Sequence, residues 1–142
     1  MATRWVASIP GLAGGLGAFA VDALYVAAIS QQGVTPPDGR FVFLALWIVG
    51  AGVLATIGSF VHRPTSRAAL LGLAAAMLLA LAVPALFSFG IALMLCAALV
   101  GIAALRAAES AQLPRWVGLV SPLAFLSLAG LGVALGFAIT EF

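Results

Sequence analysis

Residues 68–105 read AALLGLAAAMLLALAVPALFSFGIALMLCAALVGIAAL, and no charged side chain interrupts them. As one helix this stretch would measure about 57 Å, because each residue adds about 1.5 Å. The hydrocarbon core of a bilayer is about 30 Å thick, so the stretch is expected to cross it twice. The break should lie between Pro84 and Gly90, where proline, serine and glycine interrupt the apolar run. This stretch predicts an antiparallel pair of membrane helices, at about 68–87 and 90–107.

Three further apolar segments of membrane-spanning length flank this pair, at about 10–30, 41–61 and 116–140. Polar connections containing proline or glycine separate them. The sequence therefore predicts an all-α integral membrane protein, a single transmembrane domain over residues 1–142 built as a bundle of five helices. The first segment begins like a secretory signal, but its apolar run continues past Ala20 to Ile29. We expect it to be retained as a helix.

The composition excludes several classes of protein. Hydrophobic residues make up 65% of the chain and charged residues only 7%, against about 25% charged in a typical soluble domain. No basic cluster is dense enough to follow the phosphates of a nucleic acid. Cys96 is the one cysteine and His62 the one histidine, so thiolate zinc sites and bis-histidine haem lack ligands within one chain. No paired carboxylates or Ser/His/Asp set occurs, and we expect no enzyme activity, no metal and no cofactor.

The arginines predict an orientation in the membrane. With five crossings, five of the six basic residues fall on one side, namely Arg4, Arg63, Arg67, Arg106 and Arg115. Positive residues are retained in the cytoplasm, so the N-terminus is expected inside and the C-terminus outside, in the inner or plasma membrane of the cell. The same side chains are candidates for contact with anionic lipid headgroups, although topology alone explains them.

Asp22 lies well inside the first predicted span. An acidic side chain at such a depth costs about 2.5–3.5 kcal/mol on insertion scales, and intramembrane acids are often functional. Asp22 shares a helical stripe with Gly11 and Gly15, whose small size lets a neighbouring helix approach. We therefore expect its carboxyl to face protein and to form a hydrogen bond with Tyr25, Trp47 or a backbone group.

Two functions from different classes fit these features. The favoured one is a non-catalytic accessory subunit or structural component of a larger membrane assembly, surrounded by the lipid bilayer and packed against other membrane-protein subunits. Gly132 and Gly136 form a small-xxx-small pair suited to a close helix crossing, within one chain or in a homo-oligomer. The alternative is a small oligomeric proton- or cation-coupled transporter or channel that uses Asp22. It is less favoured because the first helix offers no further polar residue between Asp22 and Gly11.

Overall fold

The computed structural model describes residues 2–33 and 39–140, with side chains described for 9–33, 39–114 and 121–140. These residues form five α-helices: α1 (Ala2–Gln31), α2 (Gly39–Phe60), α3 (Pro64–Ala82), α4 (Ile91–Ser110) and α5 (Arg115–Thr140). The described ranges contain no β-strand. Each helix contains a segment long and apolar enough to cross a bilayer, and for α4 this segment includes the turn that precedes it, from Leu86. The predicted all-helical chain with five such segments is confirmed.

Three predicted helix boundaries are wrong by more than one turn, namely the start of α1 and both ends of α3. Helix α1 begins at Ala2 and contains Pro10 in its interior, although the sequence predicted a start at Pro10. Helix α3 begins at Pro64 and ends at Ala82, rather than spanning 68–87. Proline is favoured in the first turn of a helix because its N–H would be unpaired there, so Pro64 starts α3 ahead of the apolar run.

The predicted fold-back of the uncharged stretch occurs at a turn over residues 83–85, followed by a π-helical turn, Leu86–Gly90, that leads into α4. The Gly90 N–H donates to the Ala85 carbonyl oxygen at 2.8 Å, a hydrogen bond between residues five apart. A β-carbon at position 90 would contact the Ala82 carbonyl oxygen and lie 2.6 Å from the Ala85 carbonyl carbon. Only glycine fits this close approach of backbone to backbone.

Helices α1 to α4 form a closed ring in which each helix packs on two neighbours. Helix α1 packs on α2 and α4, and α3 packs on the same two helices from the opposite side. Side chains fill the middle of the ring, where Ile48, Leu78, Leu93 and Val100 have no exposed surface. Helix α5 lies outside the ring, against α3 and, over a smaller area, α2.

The two ends of the bundle differ in chemistry. We call one the arginine end: α2 ends there, α3 begins and α4 ends, and it carries His62, Arg63, Arg67 and Arg106. We call the other the aromatic end: α1 ends there, α2 begins and the α3–α4 turn lies beside them, with Tyr25, Phe41, Phe89 and Phe137.

Candidate functional site

Glycines bring α1 close to both of its neighbours in the ring. A β-carbon at Gly15 would lie 3.2 Å from the Gly52 carbonyl oxygen of α2. One at Gly11 would lie 2.5 Å from the Ser59 hydroxyl oxygen, also of α2. The stripe predicted to hold Asp22 therefore faces the inside of the ring.

Gly14 is a contact that the sequence reasoning missed. A β-carbon there would lie 2.5 Å from Val100 Cγ2 and 2.9 Å from the Cys96 carbonyl oxygen, both in α4. The adjacent pair Gly14-Gly15 could have predicted this contact, since two glycines about 100° apart on a helix allow close packing against two different neighbours.

Asp22 continues the α1 stripe toward the aromatic end, and its side chain is partly buried. Its carboxylate oxygen Oδ1 is fully enclosed and, within the described part of the chain, accepts no hydrogen bond. Of the partners predicted for this carboxyl, Tyr25, Trp47 or a backbone group, Trp47 is not one. The Trp47 indole Nε1 donates instead to the Met77 carbonyl oxygen of α3, at 3.0 Å.

The direction in which Trp47 points explains that error. Its ring packs on α5, where Cη2 lies 2.6 Å from the position that a β-carbon of Gly132 would occupy. Phe43, one turn earlier in α2, packs in the same way on Gly136. The predicted pair of small residues, Gly132 and Gly136, is thus packed against two aromatic rings of α2. Depth along a helix sets the height of a side chain but not its direction, and Trp47 points about 100° away from its neighbour Ile48 in the ring core.

Tyr25 stays on the same face as Asp22, one turn nearer the aromatic end. Its ring packs at a tilt against Phe41 of α2, with centroids 5.5 Å apart, and against Phe89 of the π-helical turn, with centroids 4.7 Å apart. We call these three rings the aromatic cluster. Phe89 was missed because the sequence placed it in a helix-breaking segment. Of the predicted trio Asp22, Tyr25 and Trp47, the fold keeps the first two on one face.

A cavity of about 450 Å³ opens beside the aromatic cluster, and we call it the aromatic cavity. Helices α1, α2 and α5 and the α3–α4 turn enclose it, and its aromatic lining comes from Tyr25, Phe89 and Phe137. Gln32 and Ser88 add polar groups. The Ser88 hydroxyl donates to the Ala85 carbonyl oxygen at 3.0 Å. None of the described lining residues carries a charge.

On the other side of Asp22 the ring is closed by packing. The Phe19 ring lies against Gly52, with Cε1 3.1 Å from the position of a β-carbon there. Beyond this layer, the Thr56 and Ser59 hydroxyls each donate to a carbonyl oxygen of their own helix at 2.8 Å. The described residues therefore offer no continuous polar route from Asp22 to the arginine end.

A second concave surface runs between α4 and α5 across the outer face of α3, with a volume of about 760 Å³. We call it the α4–α5 groove. Half of its lining residues are alanine or glycine, and all of these belong to α3 and α4: Ala68, Ala69, Gly72, Ala75, Ala76, Ala97, Ala98, Gly101, Ala104 and Ala108. The groove exists because α5 packs on α3 and leaves the adjacent face of α4 uncovered.

Among the arginines, Arg67 has a structural contact. Its guanidinium donates to the carbonyl oxygens of Ser59, at 2.5 Å, and Gly58, at 3.4 Å. These belong to the last turn of α2, whose carbonyls have no partner within the helix. Arg63 and Arg106 are exposed at the same end. The side chains of Arg4 and Arg115 lie outside those that the structure describes.

No metal-binding group of three or more His, Cys, Asp or Glu side chains occurs in the described residues. The chain matches no protein-family model, no curated protein and no solved structure. Its function therefore has to be inferred from the α4–α5 groove, Asp22 and the aromatic cavity.

Proposed function

We propose that this chain is a non-catalytic structural component of a larger membrane assembly, and that one helix of a partner membrane protein packs into its α4–α5 groove. The protein lies in the inner or plasma membrane of the cell with its N-terminus in the cytoplasm. The groove is the observation that carries this proposal.

Membrane insertion is supported by the outer surface of the bundle. Large apolar side chains point outward on several helices, including Leu24, Phe60 and Leu123, each at least 65% exposed. Soluble proteins rarely expose a continuous apolar surface of this kind. The cytoplasmic side is assigned to the arginine end because positive residues are retained there.

The lining of the groove supports a helix as its occupant. Helices in a bilayer associate through close packing rather than through exclusion of water, and alanine and glycine let two backbones approach. On α3 the groove runs from Thr65 to Leu79, which is about 21 Å of helix length. A partner helix would thus stay in contact over most of the hydrocarbon thickness.

Filling the groove tests the proposal. Ala98 is exposed in the groove on α4, and Ala13 is exposed on α1, away from it. A photo-crosslinking residue at position 98, in the native membrane, should capture one membrane protein, and the same residue at position 13 should not. Ala98→Leu should then reduce co-purification of that protein in fixed ratio, while Ala13→Leu should leave it unchanged. Capture of a second copy of this chain, or equal capture from both positions, would refute the proposal.

A second candidate is a small oligomeric proton- or cation-coupled transporter or channel that uses Asp22. The observation that favours it is the enclosed Oδ1 atom of Asp22, which accepts no hydrogen bond from the described residues. The packed layer of Phe19 and Gly52 argues against a path through one copy, so conduction would need an interface between copies. Liposomes containing the purified protein should show proton or cation flux that Asp22→Asn abolishes, and absence of flux would reject this candidate.

A further inference from the structure

We propose that the aromatic cavity binds a lipophilic organic monocation, such as an ammonium or phosphonium ion with apolar substituents, and that Asp22 provides its counter-charge. The inference names a ligand class for the second candidate function and is independent of the α4–α5 groove. Binding in detergent requires no transport, so the site can exist even if the flux experiment fails.

The charge of Asp22 is the first support. Its Oδ1 atom is enclosed and, among the described residues, receives no hydrogen-bond donor. Arg40 lies in the first turn of α2 at the aromatic end, and no hydrogen bond joins it to Oδ1. Arg67 is held at the opposite end by the carbonyls of α2. Buried acids are normally paired or hydrogen-bonded, because an isolated charge in apolar surroundings is costly. A bound monocation would balance this carboxylate.

The aromatic rings are the second support. A cation is attracted to the face of an aromatic ring when it lies within about 6 Å of the ring centroid. Tyr25 and Phe89 are 4.7 Å apart, centroid to centroid, and both line the cavity with Phe137. The rings of Tyr25 and Phe89 touch each other, so a cation would lie beside this pair, on its cavity side, and not between the two rings. Ile29, Leu44 and Leu81, which line the same cavity, provide apolar contacts for its substituents.

The size and position of the cavity fit a ligand of this class. Its volume of about 450 Å³ lies within the range of about 300–1,000 Å³ that is usual for small-molecule sites. Asp22 does not itself line the cavity, but Tyr25 does, and the two residues are three positions apart, about 4.5 Å along the helix axis. A positive charge at the level of Tyr25 would therefore lie one helical turn from the carboxyl. Over such a distance in a medium of low dielectric constant, the attraction is much stronger than in water.

Two ions of almost the same shape and opposite charge test the inference directly. Tetraphenylphosphonium is a lipophilic monocation, and tetraphenylborate is its anionic counterpart. The full chain, purified in a mild nonionic detergent, should bind tetraphenylphosphonium saturably in equilibrium dialysis, above the uptake by protein-free micelles, and should bind tetraphenylborate no more than those micelles do. Asp22→Asn should weaken cation binding by roughly 30-fold. Phe89→Leu, which removes a π face, should weaken it by about 5-fold.

Glu109→Gln is the matched control, because it removes an exposed carboxylate at the arginine end and should leave binding unchanged. If Asp22→Asn fails to fold, the comparison of the two ions on the unmodified chain decides the question. Equal binding of cation and anion would show a merely apolar cavity and overturn the inference. So would unchanged affinity in Asp22→Asn, or no saturable binding of the cation.

Discussion

Gly14→Ala tests how tightly α1 packs on α4. The added methyl group would lie 2.5 Å from Val100 Cγ2 and 2.9 Å from the Cys96 carbonyl oxygen, whereas carbon atoms in favourable contact are about 3.5–4.0 Å apart. The Val100 side chain can rotate only within a core in which it has no exposed surface. The Cys96 oxygen belongs to the backbone, so relief requires the two helices to separate.

The expected loss follows from two opposing effects. Overpacking of a well-filled core costs about 1–3 kcal/mol, while alanine is favoured over glycine within a helix by about 0.5–1 kcal/mol. We therefore expect Gly14→Ala to lower the free energy of unfolding by about 1–2 kcal/mol. Titration with sodium dodecyl sulfate in mixed micelles, followed by circular dichroism, measures this change.

Gly130→Ala is the control, because a β-carbon at position 130 meets no atom within 4 Å. The same chemical change is therefore made where there is room, and stability should hold or rise slightly. Equal midpoints for the two variants would show that α1 and α4 are not packed as described, and the reasoning would fail.

Three further predictions concern polar side chains, and a fourth concerns the orientation in the membrane. Arg67→Ala should lower the free energy of unfolding by about 1.5–3 kcal/mol, because charged hydrogen bonds to the end of α2 are lost. Arg63 is exposed, so Arg63→Ala should change it little, and equal losses would show that the hydrogen bonds of Arg67 do not stabilise the fold. Trp47→Phe should cost about 1 kcal/mol through the lost bond to α3, and an unchanged midpoint would disprove that bond. Asp22→Leu should hold or raise stability, since it removes an enclosed oxygen that accepts no hydrogen bond from the described residues, and desolvation of such a group costs about 1–3 kcal/mol. A lower midpoint would contradict this reasoning. Reporter fusions after Arg40 and Arg67 should lie on opposite sides of the membrane, with the second cytoplasmic.

The number of helices could be predicted because a bilayer imposes a length. A segment must contain about 20 apolar residues to cross it, and charges mark where crossings end. The stretch 68–105 contains no charge, so its break depended on Pro84 and the turn residues that follow. The turn lies at 83–85, at the start of the predicted interval. The rest of that interval is helical, because it forms the π-helical turn Leu86–Gly90.

The neighbours of each helix were harder to predict. In a bilayer the lipid-facing side of a helix is as apolar as its buried side, so hydrophobic periodicity does not mark the inward face. Size and polarity remain as signals, and they placed Gly11, Gly15 and Asp22 on one face correctly. Trp47 carried no such signal. A large amphipathic ring fits equally well against α1 or α5, and its direction depends on the order of helices in the ring.

The hydrogen bonds of the site could not be predicted from the sequence, for a similar reason. Oδ1 of Asp22 accepts no hydrogen bond from the described residues, and Trp47, one of the donors expected by depth, donates to the Met77 carbonyl oxygen. Arg67 was interpreted as a topology signal and a candidate for contact with anionic lipid, whereas its guanidinium donates to carbonyls eight and nine residues earlier in the chain. Its role depends on the sharp turn between α2 and α3, whose geometry no residue pattern specifies.

The closed ring has a consequence for the order in which the protein is made. Synthesis runs from the N-terminus, so α1 exposes its glycine face toward α4 until the fourth helix has been inserted. The central cluster of buried residues comes entirely from α1 to α4, so all of its residues are synthesised before those of α5. Because α5 contributes no residue to that cluster, a helix of another chain could take the place of α5 without opening the core.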